Sequence, residues 1–305
     1  MQAPDDFNPQ PGLAEELEPG LRRILAPNPS PMTYRGTNTY LLGTGGLAVI
    51  DPGPESDAHL AAILAAVQPG QQITHIIVTH SHLDHSPLAR GLSQATGAPV
   101  YAFGGPQAGR SAVMSRLAKE GLAGGGEGID RQFAPDITVG DAEVISGDGW
   151  DLEVIHTPGH LGNHIALAWN DACFTADHVM GWASSLVSPP DGDLTDFMAS
   201  SRRLRQRSWR VFHAGHGAPI HNPQERLDWL IAHRESRETA ILAALAQAPA
   251  TARSLAEQIY TGTPPALLKA AERNVFAHLV DLTGRGMAEP QGALSASSVF
   301  EISKG

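Results

Sequence analysis

The fold is indicated by the stretch Thr79-His80-Ser81-His82-Leu83-Asp84-His85, which contains three imidazoles and one carboxylate within six positions. It follows an apolar, strand-like run at residues 73–78. Ser86 as an N-cap and Pro87 at the first helical position predict a helix directly after it. Four good metal ligands therefore lie on one short strand-to-helix connection. Such a group can hold two metal ions if other parts of the chain supply the remaining ligands.

Further ligand-type residues also stand just after apolar, strand-like runs. They are Asp51, His160, Asp177 and His216. Side chains at the same ends of neighbouring strands converge in space, and layered folds with sheets carry their sites at such an edge. A lone turn histidine is usually bonded to backbone, but four ligand-type residues as close as those at 80–85 are rarely structural. The sequence therefore predicts one composite metal site.

Strand-like runs and hairpins are common between residues 36 and 222, interrupted by helical segments at 58–67 and 194–207. From residue 224 onward the apolar residues recur at helical spacing. We expect an irregular arm at 1–30 within a catalytic domain at 1–230. A small helical module should cover 231–305, and its three helical segments followed by a β-like tail resemble a winged helix.

Composition limits the class of protein. The chain has 305 residues, is 42% hydrophobic and contains no apolar run of membrane-spanning length. We see no signal peptide and expect a cytoplasmic protein. The single cysteine, Cys173, excludes an intramolecular disulfide and a multi-thiolate zinc site. The net charge of -11 disfavours nonspecific binding to nucleic acid or to an anionic membrane.

In order along the chain, these motifs resemble the five motifs of the metallo-β-lactamase superfamily. The resemblance covers about residues 36–220 and implies an α/β fold, a four-layer αββα sandwich with metals at one sheet edge. It also implies ligand roles: His80, His82 and His160 for the first metal, Asp84, His85 and His216 for the second, Asp177 as a bridge between them, and Asp51 as a supporting residue that is not a ligand.

The chemistry of these ligands fits that resemblance. Imidazole and carboxylate suit zinc, and the predicted site holds up to two Zn²⁺ per chain. Paired metals lower the pKa of bound water, so that hydroxide forms near neutral pH. Asp84 is a catalytic candidate because it could orient that hydroxide. His164 is a second candidate that could contact substrate or protonate the leaving group, or else be a strand-start histidine bonded to backbone.

Two features indicate which branches of the superfamily this chain resembles. The commonest zinc β-lactamases place a cysteine on the second metal, whereas Cys173 lies inside a strand-like run. Asp177 as a bridge resembles the glyoxalase II and RNA-processing branches. Segments at 28–33, 36–40 and 232–238, together with His164, resemble the lactamase-beta-like protein 2 branch over nearly the whole chain. That resemblance implies an endoribonuclease acting on single-stranded RNA.

Three functions stay open. The first, slightly favoured, is a metal-bound hydroxide attacking a phosphodiester of single-stranded RNA. The second is hydrolysis of a thioester, lactone, other carboxylic ester or β-lactam, as in glyoxalase II. The third is a non-enzymatic binding protein, which is disfavoured because residues 231–305 carry seven basic and seven acidic side chains. Arginines at 202–210 are either a solvated helix face or phosphate contacts. The predicted partners are a small molecule or single-stranded RNA and exclude membrane and DNA, with a homodimer left open.

Overall fold

Two sheets form the body of the protein. The computed structural model describes residues 7–124, 128–262, 264 and 267–304. The first sheet has seven strands in chain order: β1 (Ala14–Glu18), β2 (Leu21–Leu25), β3 (Asn38–Leu42), β4 (Gly46–Ile50), β5 (Gln72–Ile77), β6 (Val100–Ala102) and β7 (Ile137–Thr138). The second sheet has five strands in the order β12-β11-β10-β9-β8: β8 (Val144–Ser146), β9 (Asp151–His156), β10 (Ile165–Trp169), β11 (Ala172–Ala176) and β12 (Val211–Ala214).

Strand direction determines where the loops meet. In the first sheet, β1 to β4 pair antiparallel, and β4 to β7 pair parallel. In the second sheet, β8 to β11 pair antiparallel, and β11 pairs parallel with β12. As a result β4 and β5 end at one edge of their sheet, and β9, β11 and β12 end together at one edge of the other.

The alternation of apolar side chains explains the layers. In the first sheet, Tyr40 and Ile50 face the second sheet and pack with Leu167 and Phe174, whereas their strand neighbours Leu41 and Val49 face outward. Helices cover the outer faces: α1 (Asp57–Ala65) and α2 (Leu88–Thr96) on the first sheet, α4 (Leu194–Arg205) and α5 (Pro223–Leu245) on the second. The predicted αββα sandwich is confirmed.

Two local predictions were wrong. Residues 14–25 are not an irregular arm, because β1 and β2 extend the first sheet and bury Leu21 and Ile24 in the core. The charged face of β1, which pairs with β2 through Glu15 and Arg23, hid the strand signal. Helix α2 begins at Leu88 rather than Pro87, because the Ser86 hydroxyl donates to the carbonyl of His82 instead of capping the helix.

A third, three-stranded sheet belongs to the C-terminal module, in the order β13 (Ala250–Thr251), β15 (Val299–Ile302), β14 (Ala288–Pro290). It packs with α6 (Ala252–Ile259) and α7 (Leu268–Gly284) around Val275 and Phe300. Helix α3 (Ala112–Lys119) adds Met114 to this core from the first domain. Helix α5 runs without a break across the predicted boundary at residue 230. Within the described ranges, no helix is long and apolar enough to cross a membrane.

Candidate metal centre

Five chain segments converge where the two sheets open at their common edge. Asp51 follows β4, and the loop at residues 80–85 follows β5. His160, Asp177 and His216 follow β9, β11 and β12. All of the predicted ligands are buried side chains within one group, as expected from the direction of their strands.

The backbone is shaped for close approach at this edge. A Cβ on Gly215 would stand 2.3 Å from Asp177 Oδ1, so only glycine fits before His216. Asp51 and Ala176 are non-glycine residues with φ of 50° and 42°, in the left-handed region that costs free energy for such residues. Both stand at the end of a strand, beside the ligands, where the surrounding sheet holds the conformation.

The first ligand group consists of His80, His82, His160 and Asp177, and its ligand atoms lie within 4.8 Å of one another. His82 Nδ1 is 3.1 Å from His80 Nε2 and 3.0 Å from His160 Nε2. Asp177 Oδ2 is 3.6 Å from His160 Nε2. Neutral imidazoles with converging nitrogens direct their lone pairs to a common point, which is the geometry of a tetrahedral metal site.

The second group consists of Asp84, His85, Asp177 and His216, with the same spacing of ligand atoms. Asp84 Oδ2 is 3.3 Å from His85 Nε2 and 3.2 Å from His216 Nε2. Asp177 Oδ1 is 3.4 Å from His85 Nε2, while its Oδ2 faces His216 and the first group. Asp177 therefore belongs to both groups, which is the bridging position.

Outer partners fix the direction of the histidine rings. Asp51 accepts from Thr79 N and Thr79 Oγ1 at 2.8 Å each and lies 2.9 Å from His85 Nδ1. His160 Nδ1 lies 2.8 Å from the carbonyl oxygen of Leu186, and His216 Nδ1 lies 3.1 Å from that of Gly36. An outer acceptor on Nδ1 holds the ring proton of the neutral imidazole there, so that Nε2 is the nitrogen that can ligate. Asp51 thus has the supporting role implied by the superfamily resemblance.

Several buried polar atoms at this centre have no hydrogen-bond partner in the described part of the chain. They are both carboxylate oxygens of Asp84, His85 Nε2, Asp177 Oδ1 and His216 Nε2. Contacts of 3.2–3.4 Å join Asp84 Oδ2, His85 Nε2, Asp177 Oδ1 and His216 Nε2 without hydrogen bonds. Buried polar groups without hydrogen bonds cost about 1–3 kcal/mol each. A cation satisfies all of them together, and the residues present fit a metal pair.

The two groups differ in how they bind protons when no metal is held. Burial, reinforced by His160, lowers the pKa of His82 to about 3. Burial would also lower the pKa of His216, but the carboxylates of Asp177 and Asp84 outweigh it and raise that pKa to about 10. The first group therefore offers free lone pairs near neutral pH. The second group holds protons that a metal must displace, which makes its metal affinity rise with pH.

His164 lies beneath the centre rather than at its opening. Its ring is fully buried, 5.0 Å from the ring of His80, and its Nδ1 is 2.8 Å from Thr157 Oγ1. It does not line the cavity at the metal centre. His178 is also buried and lies 3.0 Å from Ser201 Oγ. A catalytic role for His164 stays a prediction, and any such role passes through the ligands it packs against.

The sequence interpretation missed the residues that hold the loop at 180–188. Arg226 of α5 donates to the carbonyls of Met180 and Ala183 at 2.7 Å each. Arg234, also of α5, donates to the carbonyl of Ser185 and, at 3.0 Å, to the side chain of Asn274. The Ser185 hydroxyl donates to the Asp177 carbonyl. The only sequence signal was the segment at 232–238, which contains Arg234.

Asn274 extends this support to the C-terminal module. Its Oδ1 accepts from Val187 N at 3.2 Å, next to the Leu186 carbonyl that holds His160. Arg234 is only 2% exposed, lies over the ring of Phe197 and makes no ion pair with any described carboxylate. Helices α5 and α7 thus hold the loop through neutral carbonyl and amide oxygens.

The arginines at 202–210 are away from the opening of the centre. All are bound to carboxylates: Arg202 to Glu235, Arg203 to Asp141, Arg205 to Asp228, Arg207 to Glu153, and Arg210 to Glu18 and Asp171. Arg210 precedes β12, at the opposite end of that strand from His216. The run is the solvated, ion-paired helix face that was one of its two interpretations.

Comparison with known proteins agrees with this geometry. The profile of the Metallo-beta-lactamase superfamily matches residues 32–216, and that of the Beta-lactamase associated winged helix domain matches residues 251–293. The winged-helix prediction is thereby confirmed. Among solved structures, a metallo-beta-lactamase family protein from Thermus thermophilus aligns with TM-score 0.75 and 25% identity over 94% of this chain and 100% of that one. A beta-lactamase domain protein from Burkholderia ambifaria, with TM-score 0.81, 20% identity and coverage of 98% and 96%, shares the fold.

Curated relatives cover most of the chain. A Beta-lactamase-like protein 2 homolog from Caenorhabditis elegans is 30% identical over 90% of this chain and 88% of its own length. One from Drosophila melanogaster is 32% identical over 87% and 88%. An Atrochrysone carboxyl ACP thioesterase from Aspergillus fumigatus is 27% identical over 87% and 77%. The superfamily profile spans more than half of the chain and includes all seven candidate ligands, so this chain belongs to the metallo-β-lactamase superfamily.

Proposed function

We propose that this protein is a zinc-dependent hydrolase of carboxylic esters, with thioesters as its first substrate class. The donor set of five imidazoles and two carboxylates supports zinc, which favours nitrogen and carboxylate oxygen at such sites. The relative named as a carboxyl ACP thioesterase supports the substrate class. The residues around the opening of the metal centre are the observation that favours attack on a carbonyl carbon over attack on phosphorus.

That opening is a small cavity of about 30 Å³, here called the metal cavity. Besides ligands, its lining consists of Met32, Met180, Leu186, Ser188 and Asp191. Asp191 is paired with Arg110 at 3.1 Å, so among the described lining residues outside the ligand set no neutral acid stands ready to protonate a leaving group. A thiol with a pKa of about 8.5 leaves as thiolate without such help, whereas an alkoxide does not.

For hydrolysis of a thioester, the protein has to hold the metal ions, orient the attacking water and exclude other water from the acyl group. Metal ions held by the seven ligands would supply Lewis-acid activation of water and of the carbonyl. Asp84 accepts a hydrogen bond from the attacking water and orients it toward the carbonyl carbon. The water oxygen bonds to that carbon and gives up its protons to solvent, the C–S bond breaks, and the products are the carboxylate and a thiolate that recovers one proton from solvent. Met180 and Leu186 exclude bulk water around the acyl group.

Cleavage of single-stranded RNA is the second candidate. The resemblance to the lactamase-beta-like protein 2 branch supports it, as does the identity of about a third with two relatives of that name. The net charge of -11 and the ion-paired state of the arginines at 202–210 weigh against a polyanion. A non-enzymatic role is third, because a complete set of seven ligands is not needed for binding alone.

A substrate panel with metal analysis tests the proposal. The zinc-reconstituted protein should contain up to two zinc ions per chain and hydrolyse an acyl thioester faster than a bis-nitrophenyl phosphate or single-stranded RNA. Lactones, p-nitrophenyl esters and β-lactams define the breadth of the carbonyl class. Asp84→Asn, purified in the same way, controls for contaminating hydrolases. Turnover of the phosphodiesters alone would overturn the proposal in favour of RNA cleavage.

A further inference from the structure

A second, much larger cavity adjoins the metal cavity. It has a volume of about 950 Å³, and its lining includes Leu83, Pro106, Arg110, Leu122, Ile129 and Arg131, which together define the α3 groove. Asp191 lines both the metal cavity and the α3 groove, so the two are adjacent. Ligand pockets typically measure about 300–1,000 Å³, whereas the metal cavity can contain only the reacting group. Most of any substrate must therefore lie outside the metal cavity.

Backbone hydrogen bonds connect the α3 groove to the loop at 80–85, which carries four of the candidate ligands. Ile129 forms a β-bridge with His82, and Leu83 N donates to the Gly128 carbonyl at 3.0 Å. Asp130 N donates to the Ser81 carbonyl at 2.8 Å. Arg131 therefore stands two residues from a direct partner of a candidate ligand, in the turn that follows the bridge. Its distance from the reacting centre is set by the same backbone that sets the ligands.

The lining combines apolar surface with positive charge. Leu83 is 45% exposed, although it lies between two ligands, and it contributes to an apolar floor with Ile129 and Leu122. Arg110 is bound to Asp191 and only 14% exposed, whereas Arg131 is exposed and makes no ion pair with any described side chain. The described lining thus carries one net positive charge in a chain whose net charge is -11.

A cavity on the other side of the same loop has the opposite character. It has a volume of about 350 Å³ and is lined by Glu55, Asp130 and Asp136, with Arg90 as the one basic residue among its described lining. An anionic group approaching the loop at 128–136 is therefore favoured on the side of Arg131 and disfavoured on the other. Charge favours the α3 groove, and the shared lining residue Asp191 places that groove beside the metal cavity.

We propose that the α3 groove binds the thiol half of the substrate, a pantetheine arm ending in a phosphate, with Arg131 contacting that phosphate. The proposal rests on the proposed thioester hydrolysis. An apolar floor suits the long, weakly polar pantetheine chain. A guanidinium with no ion pair among the described residues suits the phosphate at the end of that arm, which it binds bidentately. A polynucleotide needs a row of cations instead. Coenzyme A and a carrier protein both present this arm.

Kinetics with matched thioesters test the assignment. For Arg131→Ala, kcat/KM for an acyl coenzyme A should fall about tenfold, through KM rather than kcat, as expected for one charge-assisted contact. Hydrolysis of the same acyl group on N-acetylcysteamine, which has no phosphate, should not change. Arg131→Lys should retain part of the effect, and Arg253→Ala, a 69% exposed arginine of the C-terminal module, is the control for charge alone. An acylated carrier protein as a third substrate distinguishes the two sources of the arm.

Binding without turnover gives an independent readout. Metal-free protein should bind coenzyme A in calorimetry, and Arg131→Ala should weaken that binding about tenfold. An equal effect of Arg131→Ala on both thioesters, or none on either, would overturn the groove assignment while leaving thioester hydrolysis intact. If the wild-type protein hydrolyses neither thioester, it is the proposed function that fails. If Arg131→Ala impairs RNA cleavage alone, the groove holds RNA and the pantetheine assignment is wrong.

Discussion

The two sides of the metal centre are held by different means. On one side, the loop at 80–85 is bound to Asp51, a residue of the neighbouring strand end, through three contacts of 2.8–2.9 Å. On the other, the loop at 180–188 is bound by side chains from α5 and α7, far along the chain. The first side is a property of the sandwich itself. The second depends on helices that continue into the C-terminal module, so that module takes part in building the centre.

The electrostatics of the two sides also differ. Asp51 is a carboxylate that pairs with His85, so its charge directly favours the ligand's orientation. Arg234 is a buried cation that donates hydrogen bonds to an amide and a carbonyl oxygen, and burial lowers its pKa to about 10. Replacing Arg234 with an apolar residue of similar volume removes its own desolvation cost but leaves the Ser185 carbonyl without this donor, at about 1–3 kcal/mol. Changes at Arg234 therefore test the positioning of the loop, with the stability of the fold measured in parallel.

The largest expected effect comes from Asp84, a ligand on the first side. Asp84→Asn should lower hydrolysis about 100-fold or more, because the amide binds the second metal weakly and orients water poorly. At least one metal ion and the fold should remain, since the first ligand group does not include Asp84. Elemental analysis, circular dichroism and kcat measure this. Asp171→Asn, a 60% exposed carboxylate, is the matched control. Near-normal turnover of Asp84→Asn would contradict the role.

Asp51 tests how far the first side depends on its outer support. Asp51→Asn should keep the amide oxygen as an acceptor for Thr79 N but lose the charge beside His85. Zinc affinity at the second group should fall about 10–100-fold, the usual effect of removing an outer-shell partner. Competition with a chromophoric chelator measures it. An unchanged affinity would mean that the strand ends alone hold His85.

A substitution of Arg234 tests the support of the other side, the loop at 180–188. Arg234→Met should leave the thermal midpoint within a few degrees but loosen the loop at 180–188, with faster amide exchange there and about tenfold weaker zinc binding at the group that contains His160. Arg253→Met serves as control, since Arg253 is exposed and pairs only with Glu257. If exchange in the loop is unaltered, α5 packs beside the loop without holding it.

The sequence predicts contacts between residues that are close along the chain or that end neighbouring strands, and it does not predict the contacts that hold the loop at 180–188. The candidate ligands could be grouped from the sequence because four of them lie within six positions and the others follow strands, where parallel strand direction brings them together. The contacts of Arg226, Arg234 and Asn274 with the loop at 180–188 could not be identified, because a side chain that bonds to a backbone carbonyl or N–H leaves no complementary residue type in the sequence. The sequence also did not predict the α3 groove, because Leu83 and Arg131 are brought to the same groove only by the bridge between Ile129 and His82.

The smallest expected effect is the change in nucleic-acid affinity when cations of the C-terminal module are removed. Because α5 crosses residue 230 and α3 packs into the module, the test uses the full chain. Removing the exposed cations in Arg253→Ala and Lys269→Ala should change affinity for DNA or single-stranded RNA less than twofold, since the module is charge-balanced and Arg253 and Arg285 are already paired with carboxylates. Fluorescence anisotropy at physiological salt measures it. A tenfold loss would make the module a nucleic-acid surface, and its packing against α5 would then serve binding as well as support of the metal centre.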